Sequence, residues 1–197
     1  MLSQMTTNKI ENLRKRLKEL IQSKAFLRRS PQEEPFQLAS GGSSRVFFDC
    51  KLVTQDPEGI SIIAEIVFEH VEDYKLDGIG GIEIGSIPIC SAVAQLSFLR
   101  GKPIPAFVVR HVRKEHGTKN KVDGELKSGS KVVIVDDVTT EGNSMEEAVG
   151  EVQKINCEIV ELITMVDREK GARERFEGKG LKFTSLFKMS DFTENQS

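Results

Sequence analysis

The stretch VVIVDDVTTEGNS, residues 132–144, runs four apolar, mostly β-branched residues into two adjacent carboxylates, Asp136 and Asp137. The apolar run reads as a buried strand. In an open parallel sheet, ligands bind beyond the carboxyl ends of the strands, so the acids are expected at that edge, just past the strand's end at Val135. Val138, Thr139, Thr140, Glu141, Gly142, Asn143 and Ser144 follow. Ser144 and Glu147 have the S-x-x-E spacing of a capping box, which starts a helix near 144. Gly142 permits backbone angles that other residues resist. A loop of this kind aims several N–H groups and the positive end of a helix into one small space, an anion site suited to a phosphate monoester. Thr139, Thr140, Asn143 and Ser144 add side-chain donors. The acids would repel a phosphate but accept hydrogen bonds from hydroxyls. A phosphate flanked by two hydroxyl acceptors describes ribose 5-phosphate. The competing interpretation is a capped helix after a polar strand end, with no ligand.

Three further groups bear on chemistry. Between Arg110 and Lys121, the cations Arg110, Arg113, Lys114, Lys119 and Lys121 face a single acid, Glu115, in a chain whose net charge is -2. His111 and His116 can add charge. A lysine-rich loop is ordinarily a solvated surface, but its length and its glycine suit a mobile lid over an anion. Phe47-Phe48 would serve as an aromatic wall or as core packing. Arg168, after the last long strand, can bind both oxygens of a carboxylate or pair with Glu169 or Glu174 at the surface. No Ser-His-Asp or Cys-His arrangement and no preformed metal cage stands out.

The elements that must position these groups follow from periodicity. Residues 8–26 place Ile10, Leu13, Leu17, Leu20 and Ile21 at helical spacing. A turn-rich segment follows, with short β-like pieces at 36–39 and 46–54. From Pro57 onward, helical stripes at 58–71, 87–100 and 144–155 alternate with strands in DGIGGIEIGSIP, PAFVVR, KVVIV, EIVELITMVD and LKFTSLFKM. Such alternation implies βαβ units, hence an α/β fold with an open parallel sheet and helices on both faces. The expected organisation is an N-terminal helix and small cap over 1–56, a core over 57–192 and a loose tail over 193–197. The chain has 197 residues, 38% hydrophobic and 29% charged, an ordinary balance for a water-soluble domain. The charge gives no global push towards nucleic acid or membrane. No apolar run reaches transmembrane length, and MLSQMTTNKIENLRKRLKEL lacks the apolar centre of a signal peptide. Cys50, Cys90 and Cys157 form no CxxC pair; Cys90 and Cys157 lie in apolar patterns and read as buried thiols of a reducing compartment, which suggests a cytoplasmic protein.

Residues 132–144 resemble the phosphoribosyl-diphosphate signature of the type I phosphoribosyltransferases. FQLASGGSSRVFFD, VVRHVRKEHGTKNKVDG and MVDREKGARERF resemble, in the same order, blocks of the orotate phosphoribosyltransferases, and the resemblance covers most of residues 36–190. It implies the type I phosphoribosyltransferase fold with a hood, and transfer of ribose 5-phosphate from 5-phosphoribosyl 1-diphosphate to orotate, giving orotidine 5'-monophosphate and diphosphate. It implies Mg²⁺ held mainly through the diphosphate and water, and a homodimer with shared active sites. It places Arg110, Lys114 and His116 on the diphosphate, residues Asp136 to Ser144 on the phosphoribosyl group, and Phe47, Phe48, Thr140 and Arg168 around orotate. Asp136, Asp137, Lys114 and His116 would carry the catalytic work. The chain departs from the family pattern at Ala39 and Gly85, where lysines occur in other members, and at His111 and Arg113. Gly85 and Ser86 remain candidates for contacts to the diphosphate. The alternatives are a phosphoribosyltransferase for another base, such as a purine, and a non-catalytic sensor of phosphoribosyl diphosphate that binds nucleic acid through the basic segment RKRLKELIQSKAFLRR.

Overall fold

The computed structural model describes residues 2–37, 42–112 and 121–193. Its centre is a six-stranded sheet built from β5 (Gly78–Ile82), β6 (Ala106–Val109), β7 (Val122–Asp123), β8 (Lys131–Thr139), β9 (Glu158–Asp167) and β10 (Phe183–Lys188). The strand order is β10-β9-β8-β5-β6-β7. All neighbours are parallel except β7, which lies antiparallel to β6. The parallel sheet agrees with the alternation read from the sequence. The β7 edge does not, because Val122 and Asp123 sit in a polar stretch with no strand-like period.

The residues of β8 alternate between two cores. Val133 and Val135 face one cluster with Ile63, Val67, Ile89 and Val93, from α3 (Pro57–Val71) and α4 (Ser86–Leu99). Val132 and Ile134 face a second with Met145, Ala148, Val152 and Phe176, from α5 (Asn143–Lys154) and α6 (Ala172–Glu177). A central strand buried on both faces needs the near-continuous apolar run seen in the sequence. The start of α3 is set locally: the Asp56 carboxylate accepts from the N–H groups of Glu58 and Gly59 at 3.0 and 2.9 Å, and Pro57 occupies the first turn.

The N-terminal helix α1 (Leu2–Leu20) continues into a π-helical turn, Ile21–Ala25. Leu17, Leu20 and Ile21 join the core cluster that holds Val133 and Val135. Its cations meet acids of α3 and of the turn before it: Lys9 with Glu65, Arg16 with Glu58, and Lys24 with Asp56. After it come β1 (Phe26–Arg28), β2 (Phe36–Gln37), β3 (Ser43–Ser44) and β4 (Val46–Phe48), paired β1 with β4 and β2 with β3. The strand expected over 46–54 therefore stops at Phe48, and Lys51–Thr54 form a short helix, α2. Phe48 explains the stop. Its ring packs 4.9 Å from Phe26 and 5.4 Å from Phe192, so the chain turns as soon as that contact is made. The last helix, α7 (Ser190–Thr193), holds Phe192 and Thr193, and 194–197 lie outside the described residues. Among the described residues no helix is long and apolar enough to cross a membrane.

One buried polar cluster lies away from the edge where β8 ends. The Glu161 side chain, 0% exposed, takes hydrogen bonds from His70 Nε2 at 3.1 Å and from Thr184 Oγ1, and Lys182 Nζ lies at 3.1 Å. Burial pushes the Glu161 carboxyl up, but these donors outweigh it and hold it down at about 2. A carboxyl lowered in the folded state stabilises the fold above its unfolded value and loses that contribution as pH falls towards the folded one. A shift of this size is worth on the order of 3 kcal/mol. Acid unfolding followed between pH 5 and pH 2 is expected to be steep in the wild type and clearly flatter in Glu161→Gln, which should also be less stable at neutral pH. Parallel curves would remove Glu161 from the acid sensitivity.

Candidate active site

At the carboxyl edge of the sheet, β8 runs four residues further than the apolar pattern suggests, to Thr139. Asp136 pairs with Thr164 of β9 and Thr139 with Asp167, so the acids lie inside the strand's last turns rather than past its end. Parallel pairing with the long β9 keeps them extended where side-chain polarity alone suggests a loop. Each carboxylate is tied locally: Asp136 Oδ1 accepts from the Asp137 N–H, and Asp137 Oδ1 from the Val138 N–H, both at 2.9 Å. Burial, then the charge of Asp137, pushes the Asp136 carboxyl well up. Burial also raises Asp137, while the Val138 N–H and the Lys51 ammonium pull it back. Burial thus disfavours charge on both acids, and the nearby ammonium favours it at Asp137.

The loop after β8 turns into α5 without the expected capping box. Gly142 is the cap residue, left-handed at φ 82°, and it receives no side-chain capping bond. Glu147 faces elsewhere: its carboxylate takes the His111 ring at 3.1 Å and Lys121 Nζ at 2.6 Å. The two ends of the basic stretch draw this acid away from the helix start. Arg175 of α6 braces the loop instead, donating to the Glu141 carbonyl at 3.1 Å and to Asn143 Oδ1 at 2.7 Å. Sequence spacing carries no sign of that role, because Arg175 lies about thirty residues from its partners.

A cavity of about 360 Å³ lies over this edge. Asp136, Asp137 and the whole loop from Val138 to Ser144 line it, together with Phe47, Phe48, Lys51 and Arg168. Phe47 is half-buried and Phe48 buried, so Phe48 both faces the cavity and packs in the cap. Arg168 is only 5% exposed. Its Nη2 donates to the Val46 carbonyl at 3.3 Å and to Ser44 Oγ at 3.4 Å, and no carboxylate pairs with it among the described residues. Glu169, the expected surface partner, bonds Ser190 instead. Burial lowers the Arg168 guanidinium from its ordinary value. Arg168 Nε and Thr139 Oγ1 are both buried without a hydrogen-bond partner among the described residues. Both residues line the cavity, so each has an unmet hydrogen bond beside the space a polar ligand would fill.

A second cavity of about 620 Å³ adjoins the first and shares Lys51 and Asp137 with it. Glu83, Ile84, Gly85 and His111 complete its lining. The Glu83–Ile84 peptide is cis. A Cβ on Gly85 would stand 2.3 Å from Asp137 Oδ1 and 3.1 Å from Asp136 Oδ1, so the acid pair occupies the space a side chain there would need. Ser86 is fully buried and donates its hydroxyl to the Ile82 carbonyl at 2.7 Å. Its hydroxyl is therefore engaged within the fold. Arg110 pairs with Asp123 of β7 and lines neither cavity. Arg113, Lys114, His116 and Ala39 lie outside the described residues. Lys51, which lines both cavities, was missed by sequence reasoning. A lone lysine after FFDC has no pattern to mark it.

A phosphate-sized loop, an adjoining acid pair and a hood over the carboxyl edge of a parallel sheet define a phosphoribosyltransferase, and the phosphoribosyl transferase domain matches residues 51–187. The orotate phosphoribosyltransferase of Bradyrhizobium diazoefficiens is 44% identical over 183 residues, 91% of this chain and 95% of that one. The orotate phosphoribosyltransferase of Mycobacterium tuberculosis H37Rv superposes with a TM-score of 0.78 at 30% identity in its complex with Fe(III) dicitrate, over 91% of this chain and 98% of that one. Its complex with 5-phospho-alpha-D-ribosyl 1-diphosphate gives 0.74 at 29%, over 92% and 99%. The chain belongs to the orotate phosphoribosyltransferase family.

Proposed function

We propose that this site moves ribose 5-phosphate from 5-phosphoribosyl 1-diphosphate to orotate, through a division of labour that the geometry supports. One observation carries it: a buried arginine, paired with no carboxylate among the described residues, lines the same cavity as a phosphate loop and an acid pair. Orotate offers Arg168 a planar carboxylate, which a guanidinium fork fits with two parallel bonds. A purine carries no carboxylate and would leave that buried charge unmatched. Phe47 and Phe48 wall the ring, and Thr140 adds a hydroxyl beside it. The loop from Thr139 to Ser144 holds the 5-phosphate on backbone N–H groups.

The reaction breaks the bond from the anomeric carbon to the diphosphate oxygen, which leaves with the electron pair. The orotate ring nitrogen, having lost its proton, bonds to the same carbon. Positive charge builds on the ribose as the leaving group departs, and Asp136 and Asp137 beneath it orient the hydroxyls and stabilise that charge. Arg110, Lys114 and His116 grip the diphosphate, partly from the second subunit of a homodimer. Phe98 and Leu99, 73% and 71% exposed, are apolar surface that a subunit contact would cover. The donor set fits Mg²⁺ of the substrate-borne kind: two adjacent carboxylates line the cavity, and among the described residues no three ligating side chains converge. Asp136 and Asp137 would hold the ion through water and the ribose hydroxyls, and when bound it neutralises the diphosphate charge. Residues 1–56 act as the hood. Lys9, Arg16 and Lys24 of this segment pair with Glu65, Glu58 and Asp56, and Arg14 donates to the Leu186 carbonyl, so these four cations are engaged within the chain rather than left for a nucleic acid. Three buried free thiols suit the cytoplasm.

Incubation with orotate, 5-phosphoribosyl 1-diphosphate and Mg²⁺, followed by chromatography, is expected to give orotidine 5'-monophosphate and diphosphate in equal amounts. Asp137→Asn should cut kcat by about 10- to 1000-fold with smaller change in orotate KM, as loss of an electrostatic contact made in the transition state does. Absence of the nucleotide product would refute the assignment.

A further inference from the structure

We propose that Lys51 is the hood's own contact to the diphosphate, set where the two cavities meet. The inference rests on the reading of the site as a phosphoribosyl-transfer pocket. With the 5-phosphate in the loop after β8 and the ribose against Asp136 and Asp137, the group on the anomeric carbon must extend away from the loop. The adjoining cavity lies on that side and shares Lys51 and Asp137 with the first.

That second cavity is poorly made for an anion without Lys51. Its described lining holds two carboxylates, Glu83 and Asp137, the neutral Ile84 and Gly85, and His111. Lys51 is the permanent cation among them. The glycine at 85 leaves no side chain from the neighbouring loop to do the work, and the acid pair fills the space where a Cβ would stand. His111 is already committed, its ring to Glu147 and its N–H to Glu83 Oε1 at 3.1 Å.

The position of Lys51 suits the task. It opens α2, directly after the strand that carries Phe47 and Phe48, so one short segment delivers the base wall and the cation together. Its Nζ lies 2.9 Å from Asp49 Oδ1, an oxygen that is buried and forms no hydrogen bond of good geometry among the described residues. Asp49 pairs with the ammonium, whose charge also reaches Asp137, and the side chain is 49% exposed. A diphosphate entering the cavity offers more negative charge than Asp49 does and would draw Nζ across. The bond from an ammonium to a phosphate oxygen is charge-assisted and of the stronger kind.

The test compares wild type, Lys51→Met and Lys51→Arg by calorimetric titration with Mg²⁺-diphosphate and with ribose 5-phosphate, and by steady-state kinetics. Lys51→Met is expected to weaken diphosphate binding and raise the KM for 5-phosphoribosyl 1-diphosphate by about 10- to 100-fold, the loss of one charge-assisted bond. Ribose 5-phosphate binding and the orotate KM should stay within about twofold. Lys51→Arg should recover most of the loss, which a merely structural role would not require. A rise in orotate KM with diphosphate binding unchanged would move Lys51 to the base site and overturn the proposal, as would unchanged constants throughout. Lys51-dependent diphosphate binding in a protein that does not use orotate would uphold Lys51 and refute the base assignment instead.

Discussion

Replacing Arg168 by methionine is expected to abolish orotate turnover while leaving the unliganded protein at least as stable as before. The two effects have one cause. The guanidinium is 5% exposed and pairs with no carboxylate among the described residues; its contacts are a carbonyl and a hydroxyl at 3.3 and 3.4 Å. A buried cation held that loosely costs the folded state more than it returns, and an apolar side chain of similar volume removes the cost. The melting temperature should hold or rise by about 2–4 °C, the change that 1 kcal/mol produces in a chain of this size. Two charge-assisted bonds to the orotate carboxylate are lost at the same time. At about 1.5–3 kcal/mol each, kcat/KM should fall by about 10²- to 10⁴-fold. The shift in melting temperature caused by 5-phosphoribosyl 1-diphosphate should survive, because the loop and acid pair are untouched. A variant that keeps activity within about threefold would remove Arg168 from the base site. One that melts far below the wild type would make it a strut between the hood and β9.

The second large effect is expected at Gly142. Its φ of 82° lies in the left-handed region, where a residue with a Cβ pays about 1–2 kcal/mol. An added Cβ would also stand 2.7 Å from Cε2 of Phe176. That ring cannot retreat: it is fully buried and stacked 5.7 Å from Phe183. Overpacking of this kind costs about 1–3 kcal/mol more, so Gly142→Ala should lose about 2–5 kcal/mol of stability in total. The loop must then open, and binding of 5-phosphoribosyl 1-diphosphate should weaken by more than about tenfold even where the protein remains folded. Denaturant unfolding and calorimetric titration read the two effects separately. Wild-type affinity in a destabilised variant would show that the phosphate is held elsewhere.

The parts of this molecule legible in the sequence are those set by periodicity and local chemistry. The apolar runs at KVVIV and EIVELITMVD specify two-sided burial, and that burial makes a central parallel sheet. The loop from Val138 to Ser144, the two phenylalanines and Arg168 do line one cavity, although Phe47 and Arg168 are separated by most of the chain. What the sequence hid depends on distant partners. Asp136 and Asp137 stay in the strand because β9 pairs with them to Asp167. Glu147 forgoes the helix cap because His111 and Lys121 arrive from another loop. Gly85 reads as a missing cation, yet it is the room in which the acid pair sits. Lys51 has no motif, and only its place between two cavities gives it meaning.

A single competition experiment tests the central claim most directly. Limiting 5-phosphoribosyl 1-diphosphate and Mg²⁺ are supplied with an equimolar mixture of orotate, uracil, adenine, guanine, hypoxanthine and xanthine, and the nucleotides formed are separated and quantified. Orotidine 5'-monophosphate as essentially the whole product, lost in Arg168→Met, is the predicted result. A purine nucleotide or UMP as the main product would keep the phosphate loop and the acid pair but contradict the assignment of Phe47, Phe48 and Arg168 to orotate.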